Sequence, residues 1–324
     1  MNSTENMNST ELFYNYTDTT SLVAALLTLI MGVFGMACNL SVVYVFYKEK
    51  SDRTSFNLIC SVRAVSNTVC LAVTFLAVFV PITLLGYSFF PPALESALIT
   101  VSQTLYLGNE YQIVVVATNR LIALFLPRYY STLCSNKATG LVLFLGYGYR
   151  AYTFFPEVRN RNDKKCFTLY STHDLSWVPA IGDGCQSSEG LLAFVVKTFV
   201  VIAVLNLIIL LRITYFYLKT NTNDQDARRR IKKNIFLFFQ TVLQDSLYFI
   251  DLTFTFHFSL YNYGRFWTFV CGTLVWECLH SVDGFIMVVF NERLSVLRKF
   301  CSSSSSTQNS QRRVFTIGLT EVAN

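Results

Sequence analysis

Residues 94–126 read LESALITVSQTLYLGNEYQIVVVATNRLIALFL, and this stretch decides the fold. It is long and apolar enough to cross a bilayer as a helix, which takes about 20 residues. It is not uniformly apolar. Ser96, Thr100, Gln103 and Glu110 follow one another at steps of 4, 3 and 7, so they share one helical face. A membrane helix with a polar stripe turns that stripe away from lipid and into a bundle. This helix is therefore expected at the centre, with the others packed around it. It closes on Asn119 and Arg120, with Pro127 beyond. An arginine there can reach the water boundary along its aliphatic stem.

The rest of the chain supplies the neighbours. Of 324 residues, 52% are hydrophobic and only 14% charged, against about 25% charged in soluble domains. Phe (29) and Tyr (18) are abundant, as lipid-facing and interfacial positions demand. Seven apolar segments emerge, at about 21–47, 56–86, 94–126, 138–155, 191–218, 235–258 and 266–290. They predict an all-α membrane protein, a seven-transmembrane helix bundle. Pro81 is expected to kink the second span near its outer end. The fourth span is the weakest, being short and interrupted by Arg150.

Orientation follows from the tail and the charges. Residues 1–20 carry no Lys or Arg and do not read as a cleavable signal peptide. They hold three glycosylation sequons, at Asn2, Asn8 and Asn15, which point to an extracellular tail; a tail rich in Asn, Ser and Thr also produces such triplets by chance. With the N-terminus outside, eighteen Lys and Arg fall on inner segments and six on outer ones, as the positive-inside rule requires. Four basic residues at 159–165 run against the rule. The net charge of +6 is spread over short inner loops and gives no sign of nucleic-acid binding.

Nine cysteines show no metal-ligand spacing, and no cofactor is expected. Cys166 and Cys185 lie in the long outer loop after the fourth span, where an oxidising environment allows a disulfide; two free thiols are the alternative. Residues 291–324 form the inner tail. Leu294, Leu297 and Phe300 suit a short helix on the membrane surface, after which Cys301 is a palmitoylation candidate and Ser302–Ser306 a phosphorylation or flexible run. Three histidines, His173, His257 and His280, sit at different depths and make no metal triad, and no nucleophile–base pattern or phosphate loop appears. The sequence does not read as an enzyme.

Buried ionisable residues are expensive in a bilayer and are functional candidates for that reason. An outer set, Lys197, Asp251 and His257, with Gln103, Glu110 and Glu277 near mid-depth, is expected to line a ligand pocket between helices or to pair internally. An inner set comprises Asn39, Asn67, Asp245, Asp283 and Asn291. At about 1.5 Å per residue, Asn39, Asn67 and Asp283 fall in one layer. That layer could shift partners on activation, hold a cation, or simply hydrogen-bond the helices at about 0.6 kcal/mol each. The run Arg228, Arg229, Arg230, Lys232 and Lys233 faces inward ahead of the sixth span. It suits contact with a partner protein or anionic lipid, and it also enforces topology.

Several motifs carry a family resemblance: SVRAVSN (61–67), ATNRL (117–121), QDSLY (244–248), HSVDGFIM (280–287) and FNERL (290–294). Over roughly residues 20–300 the chain resembles the nematode serpentine chemoreceptors of class X, and the span-seven motif is the most specific. The resemblance implies a seven-helix G-protein-coupled receptor of rhodopsin-like architecture. It would sense a small molecule or peptide and signal to a heterotrimeric G protein from the plasma membrane, with sensory cilia as one setting. It also implies that Arg120 is the arginine closing helix three, which helps to hold the inactive state and then contacts the G protein. Here Asn119 stands where the larger rhodopsin-like group has an acid, so that ion pair is missing. Spans five to seven lack proline. Asp283-Gly284 and Asn291 stand where the larger group keeps its span-seven switch, and glycine can supply the flexibility.

Two other classes compete. A transporter would show internal repeats and helices broken at matching positions, which are not seen. A seven-span ligand-gated channel of the insect type would place its N-terminus inside, against the sequons and the charge bias.

Overall fold

The computed structural model describes residues 18–50, 53–179, 185, 189–219, 225–291 and 294, with backbone alone for 189–195 and 225–233. The glycosylation candidates Asn2, Asn8 and Asn15, the palmitoylation candidate Cys301, the serine run and most of the proposed surface helix lie outside these residues. Arg228, Arg229 and Arg230 are described as helical backbone only.

Helix α1 spans Thr19–Lys48 and is capped by Asp18, whose carboxylate accepts from the Ser21 amide at 2.8 Å. Helix α2 spans Ser55–Leu85, with Thr54 capping its start. Its middle, Leu71–Phe79, is wound as a π-helix, and Val80 N–H reaches the Phe75 carbonyl five residues back. Proline cannot donate and its ring crowds the preceding turn; here the widened turns run directly into the segment that holds Pro81. Left-handed Gly86 (φ 79°) ends the helix, a geometry that glycine adopts without strain.

Helix α3, Pro92–Phe125, touches α2, the fourth, fifth and sixth long helices, and the outer hairpin. Its buried residues include Glu95, Ser96, Thr100, Ser102, Asn109, Glu110, Gln112 and Asn119. The polar stripe therefore turns inward, although Gln103 is only half-buried. A one-turn helix, Tyr130–Leu133, leads to α4, Asn136–Asp163. This helix does not end at Phe155, where the sequence closes the fourth span; it passes through Pro156 to Asp163. Pairs one turn apart, Arg161 with Glu157 at 2.7 Å and Arg159 with Asp163 at 3.8 Å, support the added turns. Only Thr139 and Leu143 of α4 are buried, so it lies at the rim of the bundle.

Helices α5 (Glu189–Lys219), α6 (Gln225–Phe256) and α7 (Arg265–Phe290) complete the set. A second π-helical stretch, Val270–Leu274, lies in α7. Among the described residues five segments are long and apolar enough to cross a membrane: Thr19–Lys48, Ser55–Leu85, Val196–Lys219, Asn234–Leu260 and Arg265–Phe290. Helices α3 and α4 have the length but not the apolarity, because α3 keeps its polar groups for the interior and α4 ends in a charged turn. Apolar side chains such as Ile30, Phe144, Leu211 and Phe249 are exposed around the outside, as a lipid environment requires.

The loop after α4 is not merely a polar connection. It folds into an antiparallel hairpin, β1 (Thr168–Ser171) and β2 (Ser176–Pro179), with Leu169 opposite Val178. Tyr170 and Leu175 enter a core cluster with Ala24, Val78, Phe79 and Phe269, so the hairpin plugs the mouth formed by α1, α2 and α7. The Tyr170 amide donates to Glu95 and the Thr168 amide to Ser96 Oγ, at 2.6 and 3.1 Å. Burial pushes the Tyr170 phenol above its ordinary pKa. Cys166 and Cys185 are joined as a disulfide, with Cα atoms 5.6 Å apart.

Candidate functional site

The centre of the molecule is a chain of buried polar side chains contributed by six helices. Asp283, on α7, is fully buried. Its Oδ2 accepts from Arg63 Nε at 2.9 Å and from Asn67 Nδ2 at 2.7 Å, both on α2. Its Oδ1 accepts from Gln244 Nε2, on α6, at 2.8 Å. A carboxylate buried in this way is tolerable only when paired and hydrogen-bonded, and Asp283 has both. Arg63 continues the stack, its guanidinium 5.2 Å from the Tyr248 ring centroid on α6.

Asn67 extends the chain in two directions. Its amide nitrogen also reaches Asn39 Oδ1 at 3.3 Å, and Asn39 Nδ2 donates to the carbonyls of Gly35 and His280. Its oxygen accepts from Asn109 Nδ2 on α3 at 2.9 Å and meets His280 Nδ1 at 2.9 Å, which requires the His280 tautomer protonated at Nδ1. Tyr147 of α4 donates to Asn109 Oδ1 at 2.9 Å and accepts from Gln112 at 2.8 Å.

Glycines let the helices come this close. A Cβ on Gly284 would lie 2.4 Å from Asn39 Nδ2, and one on Gly35 would lie 2.7 Å from the Ser281 Cα. Between α3 and α4 the fit is reciprocal: Gly108 packs on the Tyr147 ring and Gly146 on the Tyr111 ring.

The inner layer of Asn39, Asn67 and Asp283 is thus one cluster. Asp245 stands apart and accepts from Asn206 Nδ2 of α5 at 2.9 Å. Asn291 closes α7, where its Oδ1 accepts from the Leu294 amide at 3.3 Å. Arg63, Gln244, His280 and Asn109 complete the cluster but were not among the sequence candidates. The signal that could have found Arg63 was its cost: an arginine in mid-span needs a carboxylate at its own depth.

At the inner end of α3 the two adjacent candidates part. Asn119 is buried and tied to Ser55 Oγ and Tyr130 OH, each at 3.3 Å. Arg120 lies 5.0 Å from the Phe56 ring centroid, and among the described residues its buried Nε and Nη2 have no hydrogen-bond partner.

The outer candidates do not form a single pocket. Glu110 and Asp251 are buried between α3 and α6, where Tyr106 OH donates to Asp251 Oδ2 at 3.0 Å. Glu277 is buried against α1, facing Thr28 and Gly32. Lys197 is exposed on α5. His257 is exposed at the end of α6, paired with Tyr261 OH at 3.0 Å. Hydropathy fixes depth but not helix rotation, so it could not separate these two from the buried set. Arg150, which interrupts the fourth span, directs its charge onto Glu110. An open cleft of about 460 Å³ lies at the outer ends of α3 and α4, lined by Ser96, Thr100, Phe155, Arg159 and Asn162 among others. Among the described residues no group of His, Cys, Asp and Glu could hold a metal.

Comparison with known proteins agrees with this architecture. A serpentine receptor of class X from Caenorhabditis elegans, number 45, is 24% identical over 311 residues, covering 88% of this chain and 83% of that protein. The family model for the serpentine type 7TM GPCR chemoreceptor Srx matches residues 29–291, which contain every side chain of the central cluster. The chain belongs to the class X serpentine chemoreceptor family.

Proposed function

We propose that the chain is a rhodopsin-like chemosensory receptor in which all seven long helices cross the plasma membrane. The N-terminus is outside, and a small-molecule ligand acts from the outer half on a heterotrimeric G protein inside. The inward-turned polar face of α3 and the rim position of α4 account for the lower apolarity of those two segments.

The observation that carries the reading is the position of Asp283. One carboxylate binds α2 through Arg63 and Asn67, and α6 through Gln244. Helix α6 cannot move away from α7 without giving up the Gln244 bond, and a ligand that binds the parted helices better would drive that exchange by its differential affinity. Arg120, without hydrogen bonds at Nε and Nη2 among the described residues, is the group left for a partner when α6 moves. The basic run Arg228–Lys233 at the start of α6 would meet the same partner and anionic lipid.

The test is basal activation of a panel of G proteins by the overexpressed chain, compared with Arg120→Ala at equal surface expression. The reading expects activation above untransfected cells, lost in the variant. Equal activation by both removes Arg120 from the coupling surface, and none by either counts against coupling.

A further inference from the structure

We propose that the ligand is a small organic cation, a protonated amine, taken between α3 and α6 by Asp251 and Glu110. This rests on the receptor reading above and names the chemistry of its ligand. Tyr106 and Glu110 lie one turn apart on α3, while Tyr248 and Asp251 lie one turn apart on α6, so each pair shares a helical face. The faces meet: Tyr106 OH donates to Asp251 Oδ2 at 3.0 Å, and the Tyr106 and Tyr248 ring centroids are 5.3 Å apart.

The polar groups at this junction are unusually unsatisfied. Among the described residues, both Glu110 oxygens, Asp251 Oδ1 and the Tyr248 hydroxyl are buried without a hydrogen-bond partner. Glu110 is 1% exposed and Tyr248 0%. Groups in that state cost free energy unless something fills their bonds.

Charge decides what fills them. Arg63 is committed to Asp283, and the charge of Arg150 reaches Glu110 from α4. Asp251 interacts with the neutral Tyr106, and no basic side chain acts on it among the described residues. Two carboxylates therefore share the influence of one arginine, and the ligand that suits them is a cation with hydrogen-bond donors. An ammonium offers three donors, and the two tyrosine rings offer π faces suited to a cation. An anionic ligand would add a third negative charge.

The site also explains how binding would reach the cluster below. Tyr248 stacks on Arg63, and Arg63 holds Asp283. A ligand pulling on Asp251 acts on the same face of α6 that carries Tyr248, one turn deeper.

The experiment uses the full chain in lipid nanodiscs and reads its melting temperature. The probes are a panel of primary amines from methylamine to 2-phenylethylamine, each with its matched alcohol and carboxylic acid. A ligand that binds only the folded state raises the transition with concentration. At least one amine should raise it by several degrees while its alcohol and acid do not. Asp251→Asn and Glu110→Gln should remove that shift, and Asp251→Glu should retain it. No shift with any amine overturns the proposal, as does an equal shift with alcohols or acids, or an amine shift untouched in both neutralised variants. The wild-type comparison decides even if a variant does not fold. An amine shift without G-protein activation would remove the receptor reading and keep the site; activation without an amine shift would do the reverse.

Discussion

Arg63 and Asp283 form a fully buried ion pair, Nε to Oδ2 at 2.9 Å, with side-chain exposures of 4% and 0%. They are 220 residues apart in sequence and join α2 to α7. Such a pair is rarely a net gain over well-packed apolar residues, but breaking one side is costly.

Arg63→Met leaves Asp283, among the described residues, with Asn67 and Gln244 as donors. The expected loss is about 3–5 kcal/mol. Arg63→Met combined with Asp283→Asn should recover part of it, because no charge is then stranded. A double-mutant cycle by thermal melting in nanodiscs measures the coupling, expected at about 0.5–3 kcal/mol. Additive effects would mean that the pair is not made.

Gly35 and Gly284 set the approach of α1 to α7. A Cβ at Gly35 meets the Ser281 backbone at 2.7 Å, and one at Gly284 meets the Asn39 amide at 2.4 Å. Gly35→Ala should cost about 1–3 kcal/mol by overpacking, because backbone cannot rotate away. Gly148 has nothing within 4 Å of an added Cβ, so Gly148→Ala should fall within about 0.5 kcal/mol of wild type. Surface expression and melting temperature report both, and equal effects would reject the close approach.

The disulfide Cys166–Cys185 closes a loop with a sequence separation of 19, which contains the hairpin. Loop-closure entropy puts its contribution near 3 kcal/mol. Cys166→Ser with Cys185→Ser should make the hairpin sensitive to protease in intact cells while the deeper cluster stays folded. Unchanged protease resistance would show that Tyr170 and Leu175 hold the plug alone.

The outer rim should weaken in acid. Asp18 accepts from the Ser21 amide and pairs with Arg265 at 2.6 Å, and its carboxyl is held below the usual range, first by that backbone bond. Asp174 is held low by its hydrogen bond to His173. A folded-state pKa below the unfolded one gives stability that is present above the unfolded value, about 3.9, and lost as pH falls through the folded one. Asp18→Asn should therefore flatten the melting profile below about pH 4 and give up the same increment at neutral pH, a small one because Asp18 is half-exposed. An unchanged acid limb would contradict this.

Much of this arrangement is legible in the sequence, for identifiable reasons. The polar stripe of α3 and the shared depth of Asn39, Asn67 and Asp283 follow from helical rise and spacing alone. Arg63 and Gln244 stand in quoted motifs, yet their pairing with Asp283 depends on how α2 and α6 rotate about their axes, which hydropathy does not fix. The same missing rotation leaves Lys197 and His257 outside. The hairpin is not legible in the sequence, because two four-residue strands in a polar loop carry too short an alternation to register. In the sequence Pro156 and the charges after it read as a helix boundary, whereas the added turns of α4 are held by pairs one helical turn apart.

Topology provides an independent check. Tags at both ends should give antibody access to the N-terminus alone in intact cells, and replacing Asn2, Asn8 and Asn15 should remove a glycosidase-sensitive mass shift. Both ends on one side would mean that α4, with Arg150, does not cross.

The most direct test of the central claim is basal G-protein activation in Gln244→Ala. This substitution cuts the Gln244 bond from α6 to Asp283 and leaves the Arg63 pair intact. The account predicts activation above wild type at equal surface expression, returned to background by adding Arg120→Ala. Basal activity that does not rise in Gln244→Ala, or a rise that survives Arg120→Ala, would contradict it.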